Sequence, residues 1–170
     1  MGFIQHKGLV IGIDPDIDKS GISVINLDTR TIKTDSLPFP ELLSRIRELY
    51  SSVEPGDRFI VVVEAWWMNK GNWHVSDSRE GKYSPSAYAA AVGASTGEGN
   101  AVSKLILQCL EYEGIPAKAP RPLRKCWKGP NGKITHLELA REAEAYRLNF
   151  KDKRTNQEAR ESALLAIVNI

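Results

Sequence analysis

A chain of 170 residues with 42% hydrophobic and 26% charged side chains suits one globular domain with a core of its own. It excludes a disordered polymer and a bundle of membrane spans, since no apolar stretch approaches the roughly 18 residues that a span requires. The net charge of +2 names no partner, and Cys109 and Cys126, with no Cys-x-x-Cys pair, exclude a disulfide framework and a zinc cluster and read as structural thiols.

The N-terminal residues run straight into an apolar strand without a secretory leader, so a cytoplasmic protein is expected. Leu9-Val10-Ile11-Gly12-Ile13 ends on Asp14-Pro15, and a β-branched run at 22–25 follows Gly21. This pattern predicts a β-hairpin. Proline cannot donate to a sheet ladder, so the first strand stops at Asp14. A carboxylate held at the mouth of a sheet is well placed to bind a metal. Residues 31–34 extend the hairpin into an antiparallel meander, broken by Pro38 and Pro40.

Leu42, Leu43, Ile46 and Leu49 recur at helical spacing and predict a helix over 41–50. The apolar run at 58–63 then ends on Glu64. It reads as a buried central strand parallel to the first, with the helix as crossover. Two buried strands thus end on carboxylates, at the edge where α/β sheets form sites.

Residues 65–84 form a polar loop holding Trp66, Trp67, Trp73 and Tyr83 with Lys70, His74, Arg79 and Lys82. A loop of that length signals function or mobility. Residues 85–112 are helical, and Gly93 and Gly97 make a small-residue face suited to packing on the sheet or on a second copy. Residues 117–120 suit a short edge strand. No acid occurs from 114 to 137, whereas Lys118, Arg121, Arg124, Lys125, Lys128 and Lys133 do; this reads either as a polyanion site or as a solvated loop. Helices are predicted over 134–148, headed by Lys133, and over 155–168.

Asp14, Asp16 and Asp18 alternate as in a calcium loop. That motif needs glycine at its sixth position and glutamate at its twelfth; Lys19 and Ile25 stand there, so it is rejected. No phosphate-binding Gly-x-x-x-x-Gly-Lys loop is present. Glu158 and Glu161 share a face of the last helix at i and i+3. With Asp14 and Glu64 they make four acids. Such a set can hold two divalent ions roughly 3.5–4 Å apart for phosphodiester displacement, and oxygen ligands favour magnesium or manganese.

Order, spacing and length together resemble the ribonuclease-H-like fold. Within it they resemble the RuvC family of Holliday junction resolvases, in its phage or viral branch. Gly12-Ile13-Asp14-Pro15 with Gly21 is similar to the family's first motif, and Val61-Val62-Val63-Glu64 to its second. Glu158 and Glu161 stand where the family usually has two aspartates, and Asp16 replaces a common glycine. Glutamate is one methylene longer than aspartate and still ligates a metal through its carboxylate.

The resemblance implies an α/β fold with a mixed central sheet, an antiparallel meander followed by parallel strands, flanked by helices in a single domain over 1–170. It implies a crossover junction endodeoxyribonuclease acting as a homodimer on four-way DNA, with Asp14, Glu64, Glu158 and Glu161 as ligands of two magnesium or manganese ions. It further implies phosphate contacts from Lys70, Arg124, Lys125, Lys128 and Lys133, with Lys133 counted among the catalytic residues. Trp67 reads either as a base-stacking wedge at the junction centre or as a core tryptophan. The alternatives are a nuclease of the same fold acting on other branched DNA or on RNA–DNA hybrids, and a junction-binding protein without catalysis.

Overall fold

The computed structural model describes residues 7–68 and 85–170; the side chains of Pro85 and Tyr88 are not among the features described. Its centre is β1 (Gly8–Asp14), buried along its whole length. Strands β2 (Ser20–Asn26) and β3 (Thr31–Leu37) follow as the expected antiparallel meander. Helix α1 (Phe39–Ser51), with proline in its first turn, carries the chain across to β4 (Arg58–Val63), which lies parallel to β1. Helix α2 (Pro85–Tyr112), the two-residue edge strand β5 (Ala117–Lys118), helix α3 (His136–Ala145), the two-residue strand β6 (Asn149–Phe150) and helix α4 (Gln157–Ile167) complete the chain. The sheet order is β5-β4-β1-β2-β3-β6.

The alternation of side chains along a strand divides the core in two. Leu9, Ile11 and Ile13 of β1, with Phe59, Val61 and Val63 of β4, face α1 and the second half of α2. Val10 and Val62 face α3 and α4. Gly12, Asp14 and Glu64 continue this second parity. The acids at the strand ends therefore point to the side that α4 covers.

Glycine lets α4 come down on the sheet. A Cβ on Gly12 would stand 2.0 Å from the Ser162 carbonyl oxygen, and one on Gly21 2.0 Å from that of Glu158. Two fully buried hydroxyls meet where the helix crosses the sheet: Ser23 Oγ lies 2.7 Å from Ser162 Oγ, and both are within hydrogen-bond distance of the Ala159 carbonyl, at 3.2 and 2.9 Å. With one proton each, one hydroxyl donates to the Ala159 carbonyl and the other to its partner's oxygen, so removing either serine takes away one buried hydrogen bond. Ser23→Ala is expected to lower unfolding free energy by about 1–2 kcal/mol. The double variant Ser23→Ala/Ser162→Ala should lose less than the sum of the single losses in urea titrations. Strict additivity would show that the two hydroxyls are not coupled.

Two elements differ from expectation. Helix α3 is shorter than 134–148. It starts after Thr135, whose side chain accepts from the Glu138 amide while Glu138 bonds back to the Thr135 amide, a capping box. Lys133 therefore lies two residues before the cap and does not head the helix. At the other end Arg147 turns into the left-handed region at φ 56°, and the chain leaves as β6 to pair in parallel with β3. The sequence carries no glycine there to mark the stop. The first half of α2 also departs from packing on the sheet: Gly93 and Gly97 have no atom within 4 Å of a built Cβ, and most of 86–98 is exposed.

Candidate active site

Asp14 ends β1, and Glu64 is the residue after β4. Ile13 pairs with Val63 in register, and the Glu64 amide donates to the Ile13 carbonyl at 3.1 Å. The two acids are thus successive members of one parallel ladder, on strands about 4.8 Å apart. Glu161 reaches them from the first turns of α4. All three are buried, at 8%, 6% and 5% exposure for Asp14, Glu64 and Glu161.

Burying like charges together raises the cost of ionisation. Asp14 is held well above the ordinary aspartate range, first by burial and then by the charges of Glu64 and Glu161; Lys125 and Lys133 oppose the rise. Glu64 is also raised, chiefly by burial, with Glu161 adding to it. Lys125, the Leu123 amide and the Trp66 indole pull it down. The Leu123 amide donates to Glu64 Oε1 at 3.3 Å. Trp66 Nε1 is buried and makes no hydrogen bond of normal geometry, so its influence on Glu64 is that of a nearby dipole without a formed bond.

Lys125 is the cation at the centre of this cluster. Its ammonium donates to Glu161 Oε2 in an ion pair. Burial works against the charge, yet that hydrogen bond and the charges of Glu161, Glu64 and Asp14 raise the Lys125 pKa overall. The other Glu161 oxygen accepts from Gln157 Nε2 at 2.8 Å, and Gln157 in turn accepts from Arg160 at 2.9 Å. Arg160 is itself anchored by the Ile134 carbonyl at 2.9 Å and by the Thr155 carbonyl. Glu161 is therefore held on both oxygens.

Burial alternates over 123–128 of the basic block. Leu123 and Trp127 pack against the core beneath α3 and α4, and Lys125 lies midway between them on the same half-buried side. Arg121, Arg124 and Lys128 are exposed. Lys133 is half-buried and acts on Asp14 through its charge alone. Trp67 is half-exposed in the short 3-10 turn Trp66–Met68, with the Lys104 ammonium 5.8 Å from its ring centre; it is not a buried core residue. Lys70 lies outside the described residues. Glu158 is half-buried and makes no hydrogen bond or ion pair with the described residues, and its backbone is what meets Gly21. The structure thus brings Asp14, Glu64 and Glu161 together and leaves Glu158 at the margin. Asp16 is spent on its own turn, its Oδ1 accepting from the Asp18 amide at 2.9 Å.

Among the described residues no three His, Cys, Asp or Glu side chains converge as a ready-made metal cage. The donor set nonetheless fits a hard divalent cation. Every donor is a carboxylate oxygen, only Glu161 of the three is bonded to an ammonium, and a cation entering beside Asp14 and Glu64 would favour the ionised form that burial opposes.

Comparison with solved structures identifies the architecture. The chain aligns with T. thermophilus RuvC in complex with a Holliday junction substrate over 94% of its own length and 91% of that chain, with a TM-score of 0.53 and 15% identity. The chain shares the fold of RuvC. A Thermus thermophilus RuvC structure aligns over the same 94% and 91% at 18% identity with a TM-score of 0.39. No protein-family model matches the chain, and no curated protein matches it by sequence. The RuvC fold is the ribonuclease-H-like α/β fold expected from the meander, the parallel β4 and the flanking helices. No helix among the described residues is long and apolar enough to cross a membrane.

Proposed function

We propose that the protein is a metal-dependent endonuclease that resolves four-way DNA junctions, of the phage or viral type, acting in the cytoplasm. The observation that carries this reading is the burial of Asp14, Glu64 and Glu161 at one edge of a RuvC fold, around a lysine. Three ionisable groups buried together, two with raised pKa, are a costly arrangement that a purely structural role does not require.

Asp14, Glu64 and Glu161, with Glu158 beside them, would hold magnesium or manganese, one ion or two. When bound, the metal supplies Lewis-acid activation of water and charge stabilisation at the leaving oxygen. The chain's own residues do the rest. Arg124 and Lys128, outward on the loop that carries Lys125, meet the phosphate backbone, and Lys133 adds positive potential beside Asp14. Trp67, half-exposed in the short turn three residues after Glu64, offers a ring for an unpaired base to stack on. Lys70 is a further phosphate contact in this reading. A four-way junction is resolved by two symmetric cuts, which two copies related by a two-fold axis would supply. The exposed small-residue half of α2 around Gly93 and Gly97 is the surface for that pairing.

The test is cleavage of a synthetic four-way junction against a linear duplex of the same sequence, with magnesium or manganese and with the ends mapped. Junction-selective cutting that leaves 5′-phosphate and 3′-hydroxyl ends is expected. Arg124→Ala/Lys128→Ala should weaken junction binding at every sequence and flatten its salt dependence by about 2 in log–log slope. Preference for an RNA–DNA hybrid would move the substrate within the fold. Tight junction binding with no cleavage at any metal concentration would sink the enzymatic reading.

A further inference from the structure

The other exposed cations of the basic block sit where a phosphate backbone can reach them, but Lys125 does not. Its side chain is 21% exposed and is ion-paired with Glu161. It also acts through its charge on Asp14 and Glu64. One ammonium thus serves the same three carboxylates that would ligate a divalent cation.

The backbone around Lys125 is anchored on both sides. Upstream, the Leu123 amide is bonded to Glu64 itself. Downstream, the Trp127 amide donates to the Gly132 carbonyl at 2.9 Å, and the Gly129 amide to the Lys133 carbonyl at 2.9 Å. Between these anchors lies a four-carbon side chain with rotatable bonds and a strongly hydrated head. Arg124 and Lys128, on the same segment, stand exposed on the solvent side.

We propose that Lys125 and a divalent cation are alternative occupants of the Asp14–Glu64–Glu161 cluster. Metal binding expels the ammonium, which then joins the outward cations and faces DNA phosphate. The device couples the two halves of the site: the cation that neutralises the acids without metal becomes a phosphate contact once metal has arrived. It also weakens metal affinity, because each ion that enters must displace a bonded ammonium. The inference rests on the metal-dependent reading above.

Calorimetric titration of the full-length protein with calcium chloride, and separately with magnesium chloride, tests it without turnover. Lys125→Met is expected to bind at least about tenfold more tightly than wild type, a change of about 1.4 kcal/mol. Arg124→Met removes the same charge from the outward side and sets the baseline for a purely long-range effect. Equal gains in the two variants, or no gain in Lys125→Met, overturn the exchange while leaving a metal-binding wild type consistent with a nuclease. Failure of both wild type and Lys125→Met to bind either ion overturns the exchange and the metal-dependent reading together. A measurement on wild type alone guards against misfolding of the variant. Acetylation of Lys125 by a succinimidyl ester, read by peptide mass spectrometry, should rise several-fold on calcium saturation as the ammonium leaves its carboxylates. Acetylation that stays constant or falls overturns the proposal.

Discussion

Asp14→Asn is expected to abolish junction cleavage while making the protein harder to melt in the presence of a chelator. Loss of activity follows from the position. Asp14 is the carboxylate that ends the central strand, and an amide in its place contributes no charge to hold a divalent ion. Removing one preorganised charge-stabilising group typically slows catalysis about 100- to 1,000-fold, and removing a proposed metal ligand should do no less. The gain in stability follows from burial. Ionising Asp14 puts a charge beside Glu64 and Glu161 in a buried site, which is why its pKa is held well above the usual aspartate range. Asparagine has the same shape, carries no charge, and can donate to the neighbouring carboxylate.

The sign of the pH dependence is fixed by the same shift. A group whose pKa is raised on folding contributes stability below its unfolded pKa and loses that contribution as pH rises through its folded value. Asp14 and Glu64 both belong to this class. The advantage of Asp14→Asn should therefore be absent below the ordinary aspartate range near pH ~4. It should grow as pH rises, then level off above the folded pKa. For a domain of this size each kcal/mol moves the melting temperature by about 2–4 °C. Saturating metal should reverse the ranking, because wild type gains stability by mass action and the variant gains less. A variant that melts below wild type in chelator at pH 7–8 would show that Asp14 is stabilised by its surroundings and is not opposed by them.

Much of this site was legible in the sequence because strands are strict about parity. An apolar run ending on Asp14-Pro15 and another ending on Glu64 leave little choice about where the acids fall, and the proline enforces the stop. Helix α4 was legible as a helix, and Glu158 and Glu161 as sharing a face. Which of them reaches the strand-end acids was not, because that depends on helix rotation, and the contacts that go with it, such as Ser23 with Ser162, join residues that meet only in three dimensions. Lys125 was named only as one cation of a basic block. The signal that separates it was present: Leu123 and Trp127 are the apolar members of the segment, and the residue midway between them shares their side. Strand β6 was not legible, since two residues carry no periodicity and its pairing with β3 depends on a left-handed turn at Arg147, where glycine would be the usual marker.

The other large effect falls on a residue with no side chain. Gly12→Ala is expected to lower unfolding free energy by more than about 4 kcal/mol, beyond the range of most single substitutions. The added Cβ would stand 2.0 Å from the Ser162 carbonyl oxygen and 2.8 Å from the Ala166 amide nitrogen. Both atoms belong to the α4 backbone, so no rotamer change relieves the clash and the helix itself must lift. Lifting it opens the core formed by Ala163, Leu164, Ala166 and Ile167 against β1 and β2, separates Ser23 from Ser162, and withdraws Glu161 from Asp14 and Glu64. Gly21→Ala should do the same through the Glu158 carbonyl, 2.0 Å from its Cβ. The glycines of the first motif would then serve the candidate site through packing: they set the height of the helix that brings the third carboxylate to it. Urea titration of Gly12→Ala beside Ser162→Ala checks the argument, since losing the hydroxyl leaves the helix seated at a cost of only about 1–3 kcal/mol. If Gly12→Ala proves no worse than Ser162→Ala, then α4 can shift at little cost, and the position of Glu161 is not dictated by the glycine.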